Sequence, residues 1–317
     1  MNPPDVNSAR ADRREFLVQL SAAAGAGVTL SSSATADETP NPQATSLPAM
    51  QLGKHRISRL VAGYNPIGGY SYQGHHMNQH MREYFTVEGT VEFLTRCRQA
   101  GITIHQFSPS EKMTEVLRSV AQRGLDMNFI CLHADRSEIG QIAENARVIA
   151  GAHHGGVTDR LFKEGKSGEV HDFVKETHDR GLLAGVSAHN PDCIKQIADE
   201  DWEVDFFMGC FYFLTRNTLG TEAQKRMPET LEIDYPFFKD DPPVMTAVLR
   251  QVKQPCFGFK ILGSGRLCSG QESVQNAFKF AFENLKPTDG VIVGMYPRFF
   301  DEIHANAEYV SRFGSAS

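Results

Sequence analysis

Eight short apolar runs that alternate with helix-compatible stretches predict an α/β protein, a closed parallel (β/α)8 barrel of the TIM type. Two further observations favour the closed form. The runs are continuously apolar, as in residues 206–212 and 290–294, which suits parallel strands buried on both faces. No helical repeat or low-complexity block competes with the alternation.

In chain order, residues 57–63 are the first predicted strand. Residues 86–100 (TVEGTVEFLTRCRQA) are an amphipathic helix with Val87, Val91, Leu94 and Cys97 on one face. Strand 102–107 breaks at Ser108-Pro109-Ser110, and a helix starts near Glu111 and runs over 113–123. Strand 127–133 and a weaker helix precede strand 148–153. Residues 169–180 form a helix that Gly181 caps. Strand 182–187 and a helix over 191–200, with Pro191 at its start, come next. Strand 206–212 is followed by a polar stretch, 216–241, placed to be a lid over a pocket. Helix 243–253, strand 256–261, helix 274–283, strand 290–294 and helix 299–313 complete the set.

With 41% hydrophobic and 22% charged residues, the 317-residue chain has material for a large core. Its net charge of -6 and the lack of a basic block beyond the N-terminus argue against nucleic acid as a partner. No apolar run approaches the roughly 20 residues of a membrane span. Arg13-Arg14-Glu15-Phe16-Leu17, a small-residue apolar segment and Ala34-Thr35-Ala36 together read as a twin-arginine signal peptide over residues 1–36. That predicts export of a folded protein to the periplasm or beyond. Residues 37–48 read as a short disordered linker and 49–317 as a single barrel domain. The six cysteines form no C-x-x-C pair, and several fall inside predicted strands, so free buried thiols are expected.

Chemistry on such a barrel belongs at the carboxyl ends of the strands. Those positions supply Tyr64, Asn65, Gln106, Glu111, Lys112, His133, Asp135, His153, His154, His189, Asn190, Tyr212, Lys260 and Arg298. His75, His76 and His80 could join a rim of imidazoles or form a solvated loop, and His105 is expected to point outward. A free ammonium at Lys260, inside a barrel, is costly without a partner.

Several of these stretches resemble the aldo/keto reductase family. The residues are Gly63–Gly69 (GYNPIGG), Gly185-Val186-Ser187-Ala188-His189-Asn190-Pro191, Lys260-Ile261-Leu262-Gly263-Ser264-Gly265-Arg266 and Val291-Ile292-Val293-Gly294-Met295. The resemblance implies an oxidoreductase that reduces a small carbonyl or sugar-like substrate with NADP. Its catalytic tetrad falls on Gln106, Glu111, His133 and His153 or His154, with Lys112 as a further electrostatic partner, so the tetrad is altered. The cofactor-binding positions it implies are Ser187, Asn190, Tyr212, Lys260, Gly294, Arg298 and Asn306. Two other readings stand beside it. One is a non-redox hydrolase, lyase or isomerase, metal-assisted or not, with His133, His153 or His154, and Glu111 as acid/base groups or as ligands of zinc or a similar ion, His133 and His154 foremost. The other is a ligand-binding barrel without catalysis.

Overall fold

A computed structural model of the protein describes residues 47–144, 147–216 and 235–315. The expected signal peptide, most of the linker and residues 217–234 of the polar insertion lie outside the described residues. The chain enters through an antiparallel hairpin, β1 (Ala49–Leu52) and β2 (His55–Ser58). Eight strands then close into a barrel: β3 (Leu60–Gly63), β4 (Ile104–Phe107), β5 (Asn128–His133), β6 (Val148–His153), β7 (Leu183–Ala188), β8 (Phe206–Cys210), β9 (Cys256–Phe259) and β10 (Gly290–Gly294). Each neighbouring pair is parallel, and β10 returns to pair with β3. The predicted fold class is the observed one.

The strand predicted over 57–63 is in fact two elements. Arg59 divides them because its side chain is consumed underneath the barrel. Its guanidinium donates to the carbonyls of Asp289 (2.6 Å), Gly314 (2.5 Å) and Lys286 (3.0 Å) and stacks on Phe282. The seventh barrel strand is shorter than the predicted 256–261. It stops at Phe259 because Lys260 takes a positive φ of 57°, which a ladder residue does not adopt.

The helices are α1 (Asn65–Gly68), α2 (His75–Tyr84), α3 (Val87–Gln99), α4 (Glu111–Gln122), α5 (Ile139–Ala143), α6 (Gly155–Lys163), α7 (Ser167–Asp179), α8 (Pro191–Asp199), α9 (Asp241–Gln251), α10 (Gln271–Asn284) and α11 (Glu302–Phe313). Helices α1, α2 and α6 were not expected. Side-chain caps explain two of the starts: Ser110 Oγ accepts the Met113 N–H at 3.2 Å, and Asn190 Oδ1 accepts that of Asp192 at 3.1 Å.

Two apolar layers hold the barrel. Inside it lie Val61, Ile104, Ile130, Phe206, Phe257 and Ile292, together with Met50, Leu52 and Ile57 of the hairpin. The hairpin therefore plugs the end of the barrel from which the strands start, and leaves the opposite end for a cavity. Outside the strands, beneath the helices, lies the larger cluster, which includes Cys97, Cys131, Cys193, Cys210 and Cys256. All six cysteines are free, and only Cys268 is exposed.

Strand alternation decides which strand-end residues can meet. Ile104 packs inside the barrel, so Gln106 also points inward while His105 and Phe107 point to the helices. Ile130 is inside, so Cys131 and His133 face outward. Ala150 and Ala152 are inside, which sends His153 out and turns the next residue, His154, back toward the rim.

Candidate functional site

A cavity of about 520 Å³ opens over the carboxyl ends of the strands. Of the residues expected from the sequence, Tyr64, Asn65, Gln106, His154, Ser187, His189, Lys260, Gly294 and Asn306 line it. Glu111, Lys112, His133, His153, Asn190, Tyr212 and Arg298 do not, and each has a physical reason.

Glu111 is exposed in the first turn of α4, where a carboxylate suits the helix N-terminus. Lys112 turns under the rim and donates to the carbonyls of Ile67 (2.5 Å) and Phe85 (3.0 Å). His133 and His153 sit side by side on the outer face of β5 and β6, each edge-on to Phe173 with ring centroids 5.0 Å apart. His133 Nδ1 bonds the Asp135 carbonyl at 3.2 Å, and His153 Nδ1 pairs with Thr158 Oγ1 at 2.8 Å. Burial pushes both rings down, to about 4 and about 3, so both are neutral at pH 7. Asn190 spends its side chain as the α8 cap. Tyr212 lines a separate groove of about 580 Å³ between α9 and α10. Arg298 is exposed over Phe299, 5.5 Å from its ring.

Between β6 and β7 the structure assembles a pair that the sequence reading did not. Asp159 of α6 is buried, with 4% of its side chain exposed, and its Oδ2 bonds His189 Nδ1 at 3.0 Å. The same carboxylate accepts the N–H groups of His189 and Asn190 (3.1–3.2 Å) and the Thr215 hydroxyl (2.9 Å). With Nδ1 held by an acceptor, His189 presents Nε2 as its free nitrogen on the cavity side. Burial lowers the His189 pKa, the Asp159 hydrogen bond opposes that, and Lys260 adds to the lowering. Gly155 makes room for this ring: a Cβ there would lie 2.9 Å from Ser187 Oγ and 3.2 Å from the His189 ring. The signal for Asp159 was its place on the buried face of α6 beside Gly155 and Thr158, but α6 itself was not recognised.

His154 sits at the mouth, solvent-accessible yet enclosed by the cavity walls; burial and then His189 and Lys260 hold its pKa down. Lys260 has no carboxylate partner among the described residues. Its ammonium rests 4.5 Å over the Tyr72 ring and 5.2 Å over Phe259. Tyr72 is in turn edge-on to Tyr235 and Phe237, so the described end of the polar insertion packs against the loop that follows β3. Gln106 and Asn306 are 6% and 4% exposed, and neither side chain has a hydrogen-bond partner among the described residues.

The groups implied by the resemblance can be tested on these residues. The exit of β10 does not form a phosphate clasp, because Arg298 leaves the cavity and Glu302 enters it. The turn after β9 is largely closed on itself: the N–H groups of Gly263, Gly265, Arg266, Leu267 and Cys268 bond carbonyls of that turn. A metal ion on His133 and His154 does not fit either, since the first faces the helices and the second the cavity. No group of three His, Cys, Asp or Glu among the described residues is placed to hold one.

Fold and site define a closed eight-stranded α/β barrel with a cavity at the ends of its strands, lined by apolar side chains and a few polar ones. No family model matches the chain, and no curated protein matches it. Solved structures that resemble it are barrel enzymes. A truncated 3-deoxy-D-arabino-heptulosonate 7-phosphate synthase from Thermotoga maritima has 12% identity and a TM-score of 0.44, over 84% of this chain and 91% of that one. Dihydropteroate synthase from Yersinia pestis has 9% identity and a TM-score of 0.47, over 84% and 96%. An uncharacterised metal-dependent hydrolase from Pyrococcus furiosus has 13% identity and a TM-score of 0.35, over 69% and 50%. None of the three is an aldo/keto reductase, and at these values the likeness carries no functional argument.

Proposed function

We propose that this barrel is a proton-transfer enzyme, an isomerase, epimerase or lyase acting on a small hydroxylated carbonyl compound, with His189 as its base. The observation that carries this reading is the buried Asp159–His189 pair, whose free Nε2 faces a cavity that also holds the unpaired Lys260. A neutral imidazole with its far nitrogen fixed by a carboxylate is poised to take a proton, and the carboxylate stabilises the imidazolium that results.

In this mechanism Nε2 removes the proton on the carbon next to the substrate carbonyl. The electron pair moves onto the carbonyl oxygen, and the Lys260 ammonium stabilises the charge that develops there. The amide of Gln106 and the hydroxyl of Ser187 orient the substrate's oxygens. His189 then returns its proton to the former carbonyl carbon while the proton of the adjacent hydroxyl passes through His154, at the mouth, to the former carbonyl oxygen, so that carbonyl and hydroxyl exchange places and both imidazoles end neutral. With residues 1–36 as an export signal, the reaction takes place outside the cytoplasm.

The altered reductase reading keeps Gln106, His154, Ser187, Lys260, Gly294 and Asn306 on the cavity wall, but lacks Glu111, Lys112 and His133 there. The two readings separate in one experiment. The protein is incubated in D2O with a panel of aldoses, ketoses and hydroxy acids, and deuterium entering the carbon next to the carbonyl is followed by NMR. Exchange on a panel member, lost in His189→Ala, is the expected result. No exchange on any member, together with a nicotinamide retained by the purified protein, would sink the proposal.

A further inference from the structure

The cavity has two chemically different ends. At one are His154, His189 and Lys260, the basic groups of the cavity. At the other, where α11 follows β10, lie Glu302 and Asn306, one helical turn apart on the same face and both lining the cavity. We infer that this second end binds the hydroxyls of a neutral polyol, so that the substrate is an uncharged sugar-like chain or ring and not its phosphate ester. The inference rests on the proposed reaction for the identity of the substrate, but its binding residues are separate from those of the proton transfer.

Three observations carry it. Asn306 is 4% exposed and aimed into the cavity, yet it has no hydrogen-bond partner among the described residues. A buried amide left open supplies two donors and an acceptor to a ligand. Glu302 Oε2 accepts the Tyr296 N–H at 2.7 Å, which fixes the carboxylate and leaves its remaining lone pairs for hydroxyl donors. Gln271 accepts the Tyr309 hydroxyl on Oε1 at 2.9 Å, so its amide donors are the end left for the cavity. Carboxylate and amides together match adjacent hydroxyl groups, each of which both donates and accepts. The rings of Tyr296 and Phe300 add flat apolar wall for the C–H faces of such a ligand.

Charge decides between the free polyol and its phosphate. Lys260 is the only lysine or arginine among the described residues that line the cavity, and it belongs to the histidine end, where it depresses His154 and His189. A phosphate at the α11 end would meet the Glu302 side chain and no cation, with Arg298 turned away and the N–H groups of Gly263, Gly265, Arg266, Leu267 and Cys268 already bonded.

The test is saturation-transfer NMR with D-ribose and D-glucose, each beside its terminal phosphate ester, on the wild type and on Asn306→Ala, Glu302→Gln and His133→Phe. Thermal unfolding checks that each variant is folded; Glu302→Gln keeps an acceptor for the Tyr296 N–H. The free sugars should bind, their affinity should fall on the order of tenfold in Asn306→Ala and Glu302→Gln, and His133→Phe, outside the cavity, should bind them as the wild type does. The phosphate esters should bind more weakly than the sugars. Esters that bind as well as the sugars, sugars that do not bind, or sugars held undiminished by both variants would overturn the polyol end. Sugar binding that depends on Asn306, without deuterium exchange, would keep this inference and reject only the proton-transfer reading.

Discussion

Two sets of histidines stand on this barrel within a few residues of one another, and they teach where function can be read. His105, His133 and His153 face the helical layer; His154 and His189 face the cavity. Burial lowers the pKa in both sets. A depressed pKa therefore does not separate a base from a packed ring here. The partners do. His105 and His133 bond backbone carbonyls through Nδ1, at 2.8 and 3.2 Å, and leave Nε2 buried with no partner among the described residues. His189 instead has a carboxylate behind it and open space in front.

The largest expected effect comes from the carboxylate that makes this difference. Asp159→Asn keeps the volume but replaces one of the accepting oxygens by a donor, facing His189 Nδ1, the Thr215 hydroxyl and two backbone N–H groups. The exchange rate should fall about 10²- to 10⁴-fold, and stability by about 3 kcal/mol or more, as for a broken buried pair. Rate and urea midpoint measured on the same variant decide the matter. A large stability loss with an unchanged rate per folded molecule would make Asp159 a brace for the β7–α8 loop and nothing more. In the wild type, the rate should be flat at neutral pH and decline only below the ordinary histidine value of 6.5, because the His189 pKa is lowered.

The fold was legible because apolar runs and helix faces recur with regular spacing, and a parallel barrel needs little more. The site was legible only where strand parity could be anchored. Gln106 and His154 follow from counting inward residues, and the outward aim of His105 follows from the same count. His133 failed for that reason: Ile130 and Leu132 of β5 point inward, so a catalytic role carried to 133 by resemblance lands on the wrong face. Lys112 and Arg298 failed because long side chains choose partners that sequence cannot place, two carbonyls in one case and an aromatic ring in the other. Asp159 and Glu302 enter from helices, and their roles depend on contacts across 30 residues and across a loop.

An intermediate effect belongs to the outward histidines and is read in acid. Their folded-state pKa values lie near 4, 4 and 3, below the unfolded value of 6.5. Between those limits the unfolded chain binds protons that the folded one does not, so stability falls as pH drops through this window and is unaffected above it. Each excluded proton adds about 1.4 kcal/mol per pH unit to the slope, which makes about 4 kcal/mol per unit when all three act. Urea midpoints collected from pH 7 to pH 4.5 measure this. A flat profile would mean that the outward rings accept protons in place and are not sealed beneath the helices.

The smallest effect is the sharpest check on the comparison. His133→Phe replaces an imidazole that packs edge-on against Phe173 with another ring of similar shape. It removes a buried nitrogen without a partner, worth about 1–3 kcal/mol when left unsatisfied, against a backbone hydrogen bond worth about 1 kcal/mol. The variant should therefore be as stable as the wild type at pH 7 or more stable by about 1 kcal/mol, and its acid slope should lose one proton. Its exchange rate should not change, because an outward ring on β5 touches no cavity atom. A rate that fell with His133→Phe while stability held would place the outward set in the chemistry, and the partner a histidine keeps would no longer tell a base from a packed ring on this barrel.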